Sequence, residues 1–234
     1  MNRLYKKLGI KKGVTAIIGS GGKTTLIRRL AYELRADGFC VIVTTSTKIF
    51  IPSYCPLICN PAEKREESAA LIRKVGIAAV GIPILTREGR VKLDRSEASF
   101  EELAAIADFV LVEADGSKHL PLKAHAEYEP VIPKSAVRTV MVVGLNGIGR
   151  PISEVVHRSE IFSRISGRGL EEAVTPEALA TVINAEDLAD VLYVTGNREE
   201  EVERNEREAD CGTKLAGLVN YPVIMGDELW TSDK

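Results

Sequence analysis

Aromatic residues are scarce in this chain: five phenylalanines, six tyrosines and one tryptophan make up 5% of its 234 residues. Charge of one sign is also lacking, since 31 lysines and arginines face 33 aspartates and glutamates for a net charge of −2. Together these absences remove the stacking platforms and the basic field that nucleic-acid binding needs. Cysteines are few and scattered (Cys40, Cys55, Cys59 and Cys211), which excludes a disulfide framework and suits a reducing cytoplasm. Cys55-x-x-x-Cys59 lies among Pro52, Pro56 and Pro61 with no second matched pair, so it reads as a loop with ordinary thiols rather than a metal or redox site. None of the four thiols sits in a motif that lowers a pKa, and Cys40, opening an apolar run, is expected to be buried. No apolar stretch approaches the ~20 residues of a membrane span. The segment Met1 to Lys7 is basic but has no long apolar stretch, so it is not expected to be a secretory signal. Repeats and low-complexity tracts are absent too. What remains is 45% hydrophobic and 27% charged, an ordinary globular composition, and enough length for one α/β domain.

What the chain does have is Gly19-Ser20-Gly21-Gly22-Lys23-Thr24-Thr25, directly after the apolar run Val14 to Ile18 and before the amphipathic run Leu26 to Leu34. A strand, a glycine-rich turn, Lys-Thr and a helix form the pattern of a phosphate-binding loop. Glycines let backbone N–H groups crowd around phosphate oxygens, and the helix start adds its positive dipole end. In that pattern Lys23 reaches the terminal phosphates and the Thr24 hydroxyl sits on Mg²⁺. The spacing is G-x-x-G-K-T-T, two residues shorter than G-x-x-x-x-G-K-[ST], as in Mur ligases and folylpolyglutamate synthetases. Position 17, where the longer motif would carry its first glycine, holds Ile17.

Strands and helices alternate along the chain, which predicts an α/β fold: a three-layer, P-loop NTPase-like domain with a mostly parallel central sheet. Phe39 to Thr45 is a continuous apolar run, stopped from the preceding helix by Asp37-Gly38. A helix is expected near 62–75, a strand over 77–82 and a small turn or hairpin excursion over 83–96. A short helix over 97–107 follows, then a strand from Phe109 and another over 139–143. Two helical pieces are expected between 158 and 184, broken at Gly167 to Gly169, the second opened by Thr175-Pro176-Glu177. A strand over 190–195 leads to a charged run, Arg198 to Glu208, which reads as a solvated helix face. The whole chain, 1–234, reads as one domain with a more variable part from about residue 196.

Ligands of such sheets collect at the carboxyl ends of the strands, and this chain places its polar residues there. Phe109 to Val112 runs into Glu113-Ala114-Asp115, a Walker-B-like ending. Period-two alternation puts Glu113 and Asp115 on one side if the strand continues so far; one would hold the metal and the other orient the attacking group. Thr44-Thr45-Ser46-Thr47-Lys48 ends the second strand. It is either a switch segment contacting γ-phosphate or metal, with Thr45 as metal contact, or an ordinary threonine-rich strand edge. The long segment from Asp115 to Pro133 carries Lys118, His119, Lys123 and His125. Lys118, Lys123 and His125 are candidate anion clamps; the histidine pair is alternatively a metal site. His157-Arg158 opens a later helix and is a further candidate.

The set G-S-G-G-K-T-T-L, V-T-T-S-T-K, V-E-A-D-G-S-K with P-L-K-A-H-A-E-Y-E-P-V-I-P, V-V-G-L-N-G-I-G and V-H-R resembles the YqeC family over roughly residues 10 to 200. These are accessory proteins of selenium-dependent molybdenum hydroxylases. The resemblance implies a cytoplasmic P-loop protein that binds Mg²⁺ and a nucleoside triphosphate, ATP foremost. It further implies a role in maturing or inserting a selenium- or molybdenum-containing cofactor, with a cofactor precursor or an apo-hydroxylase as partner. By motif, phosphate binding falls on Gly19, Ser20, Gly21, Gly22, Lys23, Thr24 and Thr25, and the acidic role on Glu113 and Asp115. Substrate-side roles fall on Lys118, Lys123, His125 and His157. Thr195-Gly196-Asn197-Arg198 lacks the aspartate of an N-K-x-D base-reading motif, so GTP preference gains no support. Two other readings share these residues: a nucleotide-gated cofactor chaperone with little turnover, and a small-molecule kinase or ligase using the short loop.

Overall fold

The computed structural model describes residues 3–196 and 202–226, with the backbone alone over 202–207. Along the chain the elements are α1 (Leu4–Lys7), β1 (Gly13–Gly19), α2 (Lys23–Ala36), β2 (Val41–Thr45), β3 (Leu57–Ile58), α3 (Arg65–Val75) and β4 (Ile77–Val80). Next come β5 (Ile82–Leu85), β6 (Val91–Asp94), α4 (Phe100–Ala104), β7 (Phe109–Glu113), β8 (Leu122–Lys123) and β9 (Ala136–Gly144). The last part holds α5 (Ile152–Val155), β10 (Val156–His157), α6 (Ser159–Ser166), α7 (Pro176–Glu186), β11 (Val191–Thr195), α8 (Val202–Ala216) and β12 (Val223–Met225). The fold is α/β with an eight-stranded, mostly parallel main sheet.

The chain forms two compact units. The first comprises residues 1–17, 24–116 and 131–139. Its strands lie in the order β1-β7-β2-β4-β3, and every pairing is parallel. β2, β4 and β7 are buried at every position, as their unbroken apolar runs require of strands covered on both faces. Val14, Ile42, Ile72, Val80, Leu103 and Val110 belong to one core cluster. Of the turn or hairpin expected over 83–96, the structure has the hairpin: β5 and β6 pair antiparallel with Leu85 opposite Val91.

The second unit comprises 18–23, 117–130 and 140–234. Its part of the main sheet runs β12-β11-β9, again parallel, and β8 pairs separately with β10. Phe162, Ile152, Val155, Leu192, Val194 and Leu215 are buried within it. Thr175 caps α7, its hydroxyl accepting from Ala178 N at 3.2 Å with Pro176 at the first helical position. No helix among the described residues is long and apolar enough to cross a membrane.

Several boundaries move. The helix expected over 97–107 is confined to Phe100–Ala104, because a capping box at Ser99 and Glu102 fixes its start. Its far end closes in turn-type bonds from Ala105 N to Glu101 O and Glu102 O. β7 stops at Glu113, so alternation does not place Asp115; the chain there bonds through Ala114 N to Ile17 O and turns away. Cys40 is half-buried rather than buried, lying just before β2. Of the charged run Arg198 to Glu208, residues 198–201 lie outside the described residues; Glu208, at its end, is buried rather than solvated.

The capping box accounts for the position of α4, so Ser99→Ala is expected to cost about 1 kcal/mol. Urea unfolding monitored by far-UV circular dichroism measures this, and an unchanged midpoint would show the box to be idle.

Candidate functional site

The phosphate-loop candidates lie where β1 ends. Gly19, Gly21 and Gly22 have φ of 87°, 84° and 125°, a region that L side chains rarely adopt. Space forbids side chains as well. A Cβ on Gly19 would collide with Val142 O, and one on Gly21 would lie 2.6 Å from the Cα and N of Gly144 and 2.9 Å from Pro121 O. The loop is therefore pressed against the end of β9, and Ser20 N donates to Val142 O at 2.9 Å. Ser20 Oγ donates to Leu120 O, and Thr195 Oγ1, at the end of β11, donates to Gly21 O at 2.6 Å. Lys23 is buried, its ammonium donating to Gly19 O at 2.6 Å, so it lies back along its own loop.

Thr24 and Thr25 continue the chain into α2 and are exposed. Thr24 Oγ1 donates to Glu113 Oε2 at 3.2 Å. Asp115 is fully buried two residues further on. The turn after β2 is tied to the same strand end: Thr45 Oγ1 donates to Glu113 O at 2.9 Å and receives Thr47 N at 2.9 Å. Ser46 Oγ donates to Val131 O at 2.6 Å. The Thr24 hydroxyl and the Glu113 carboxylate are oxygen donors of the kind a hard cation takes.

The remaining candidates gather around β8 and β10. Lys123 Nζ lies 2.9 Å from Glu129 Oε2, with 1% and 11% of the side chains exposed. Arg158 Nε donates to the other oxygen of Glu129. Burial pushes the Glu129 carboxyl up, but the hydrogen bonds from Arg158 and Lys123 outweigh it and hold it below its usual range. His125 is gripped by Glu186 at the end of α7: Oε2 lies 2.7 Å from Nδ1 and Oε1 accepts from the backbone N at 2.6 Å. His157 is half-buried, and its pKa is lowered first by burial and then by Lys123 and Arg158. Lys118 and His119 are exposed.

Three participants escaped the sequence reading. Thr195 closes an apolar strand with a hydroxyl, so the strand-end rule could have found it. Glu129 and Glu186 carry no such signal; one sits in an irregular segment and the other at a helix end. The thiols contribute little. Burial raises the pKa of Cys40 and Cys211 and pushes Cys55 up to about 11.

Two comparisons with known proteins bear on this arrangement. The profile of the YqeC protein family matches residues 15–160, which include the glycine loop, Glu113, Asp115 and the Lys118–Glu129 segment. A curated relative, the uncharacterized protein YqeC of Escherichia coli K12, is 36% identical over 177 residues, covering 73% of this chain and 66% of that protein. Among solved structures, a hydrogenase maturation factor HypB from Archaeoglobus fulgidus aligns over 95% of this chain and 83% of its own, with a TM-score of 0.41 and 12% identity.

Two consequences are measurable. Gly21→Ala is expected to destabilise the protein by about 1–3 kcal/mol, since the loop cannot yield toward Gly144; wild-type unfolding behaviour in the variant would refute the close packing. Glu129 has a folded pKa below its unfolded value. Its pairing therefore stabilises above the unfolded pKa and is lost as pH falls through the folded one. The stability gap between wild type and Glu129→Gln should be wide near pH ~7 and narrow toward pH ~3, read from urea midpoints.

Proposed function

Because the chain belongs to the YqeC family, we propose that it is a Mg²⁺-dependent, nucleoside-triphosphate-binding accessory protein. In this reading, nucleotide hydrolysis drives a step in maturing or inserting the selenium- or molybdenum-containing cofactor of a hydroxylase. The observation that carries it is the glycine loop: three left-handed glycines, two with no room for a Cβ, end in a buried lysine that opens a helix. Backbone of this shape presents N–H groups to phosphate oxygens and is costly to build for any other end.

The residues present fit a nucleotide and a metal. Lys23 can exchange Gly19 O for a phosphate oxygen without leaving the loop. The Thr24 hydroxyl and the Glu113 carboxylate, 3.2 Å apart, would hold Mg²⁺, and Asp115, buried two residues beyond Glu113, is the second acid of the motif. Bound there, Mg²⁺ would supply neutralisation of the charge on the β- and γ-phosphate oxygens. Of Glu113 and Asp115, one would hold the metal and the other would orient the attacking water. ATP is the working assignment for the base.

A gated chaperone with little turnover is the second reading. It is supported by the hydrogen bonds from Thr45 and Ser46, which tie the turn after β2 to the strand end that carries Glu113 and to Val131. A change at the metal would be felt directly in that turn. Partner affinity that differs between the diphosphate and triphosphate states, with slow hydrolysis, would favour this version; equal affinities would end it.

The test separates binding from chemistry. Thr24→Ala and Glu113→Gln should still bind nucleotide but lose Mg²⁺-dependent hydrolysis of ATP, GTP or CTP by about a hundredfold or more. Hydrolysis that is indifferent to both substitutions and to EDTA would contradict the assignment.

A further inference from the structure

Beyond the glycine loop, the second unit gathers two cations on one carboxylate beside a histidine. Glu129 lies between Lys123 and Arg158, and β8 sets Lys123 directly opposite His157 on β10. Lys123, Arg158 and Lys118 lower the pKa of His157, and Glu129 raises it. Lys123 and Arg158 thus share the one Glu129 carboxylate, and Lys118 adds its positive charge to the field at His157. The Arg158 guanidinium is held in place by the Tyr128 ring, 5.0 Å from its centroid. Tyr128 itself is 73% exposed, so the cluster opens to solvent on this side.

The backbone points to the same place. Four described residues other than glycine have positive φ, and three of them are Lys118, His119 and Arg158. The fourth, Asp187, ends α7 in the left-handed conformation usual for a helix C-cap. Arg158 instead occupies the N-cap of α6, where extended backbone is the rule. Strain of this sort persists where the surroundings enforce it and clusters at ligand sites. Leu120 and Pro121, which follow Lys118 and His119, are the residues that pack on Ser20 and Gly21 of the glycine loop.

We propose that Lys118, His157 and Arg158, set around Glu129, form a second anion site beside the glycine loop that takes the dianionic phosphoryl group of a phosphate monoester. The assignment deepens the nucleotide-dependent reading by naming the class of the second ligand, but its binding chemistry does not depend on that reading. A phosphoryl dianion suits a cluster in which two cations share one carboxylate, and its oxygens can accept from the guanidinium fork of Arg158. The lysine supplies a mobile point charge. An arriving dianion relieves the repulsion that the cations exert on His157, so the imidazole takes up a proton and becomes a further donor. Lys123 stays buried against Glu129 and contributes its field.

The probe is phenyl phosphate, with benzoate as the monoanionic control and inorganic phosphate as the free-ion control. It is followed by the imidazole signals of His157, assigned through His157→Gln, and by calorimetry. Binding should raise the His157 pKa and strengthen as pH falls. It should persist in Lys23→Ala, weaken about five- to tenfold in Lys118→Ala, and exceed benzoate binding at least about tenfold. Glu129→Gln, which removes the competing carboxylate, should gain more thermal stability from phenyl phosphate than wild type does. A purely structural Glu129 bridge would show no such gain.

The proposal is overturned if binding vanishes in Lys23→Ala while that variant keeps its fold, since the anion would then sit in the glycine loop. It is overturned equally if Lys118→Ala changes nothing, if benzoate binds as tightly, or if inorganic phosphate alone accounts for the response at equal affinity. Loss of ATP binding in Lys23→Ala tests the nucleotide reading separately, so the two can fail independently.

Discussion

The site rests on a steric constraint: Gly19 and Gly21 are packed so closely on the end of β9 and on Pro121 that neither can carry a side chain. Backbone-to-backbone packing of this kind fixes the path of the loop without any side chain to steer it. It also makes the loop's shape a property of the fold. β1 is buried along nearly its whole length, Ser20 N continues its bonding to Val142 O, and Thr195 Oγ1 fastens Gly21 O. The loop is held at three successive residues before Lys23 turns into the helix. A phosphate-binding loop needs such preorganisation, because an anion pays little to enter a cradle already formed.

The polar groups divide into those that serve structure and those left facing outward. Lys123 and His125 carry chemistry by residue type, yet each is engaged by an acid, Glu129 and Glu186, within a well-buried pair. Buried pairs cost desolvation and return little net stability, so their use lies in fixing geometry. Here they fix the segment from Pro121 to Glu129, and through Glu129 the guanidinium of Arg158. The carboxylate that neutralises Lys123 also anchors Arg158, so position and residual charge are set by the same contact.

Much of the fold was legible because its signals are long. β1 with its glycine loop, the two-sided apolar runs of β2 and β7, the hairpin over 83–96 and the Thr175-Pro176 start of α7 each span enough residues for periodicity or capping chemistry to speak. What could not be read is short or non-local. β3, β8 and β10 have two residues each, below any period, and exist because a neighbour offers hydrogen bonds. Asp115 left the strand because β7 ends two residues short of where alternation would carry it. Glu129 and Glu186 are recognised only through partners 6 to 61 positions away in the chain. The family resemblance, by contrast, rests on motifs specific enough that the profile match covers residues 15–160.

The central claim is that the loop from Gly19 to Thr25 binds the phosphates of a nucleotide. Its most direct test is equilibrium titration of Mg-ATP, Mg-GTP and Mg-CTP into the wild type and Lys23→Ala, with folding of the variant checked by circular dichroism. The account predicts saturable binding of at least one nucleotide to the wild type and at least about a hundredfold weaker binding to a folded Lys23→Ala, as loss of a buried charge-assisted contact implies. No binding of any nucleotide to the wild type, or equal binding to both proteins, would contradict it.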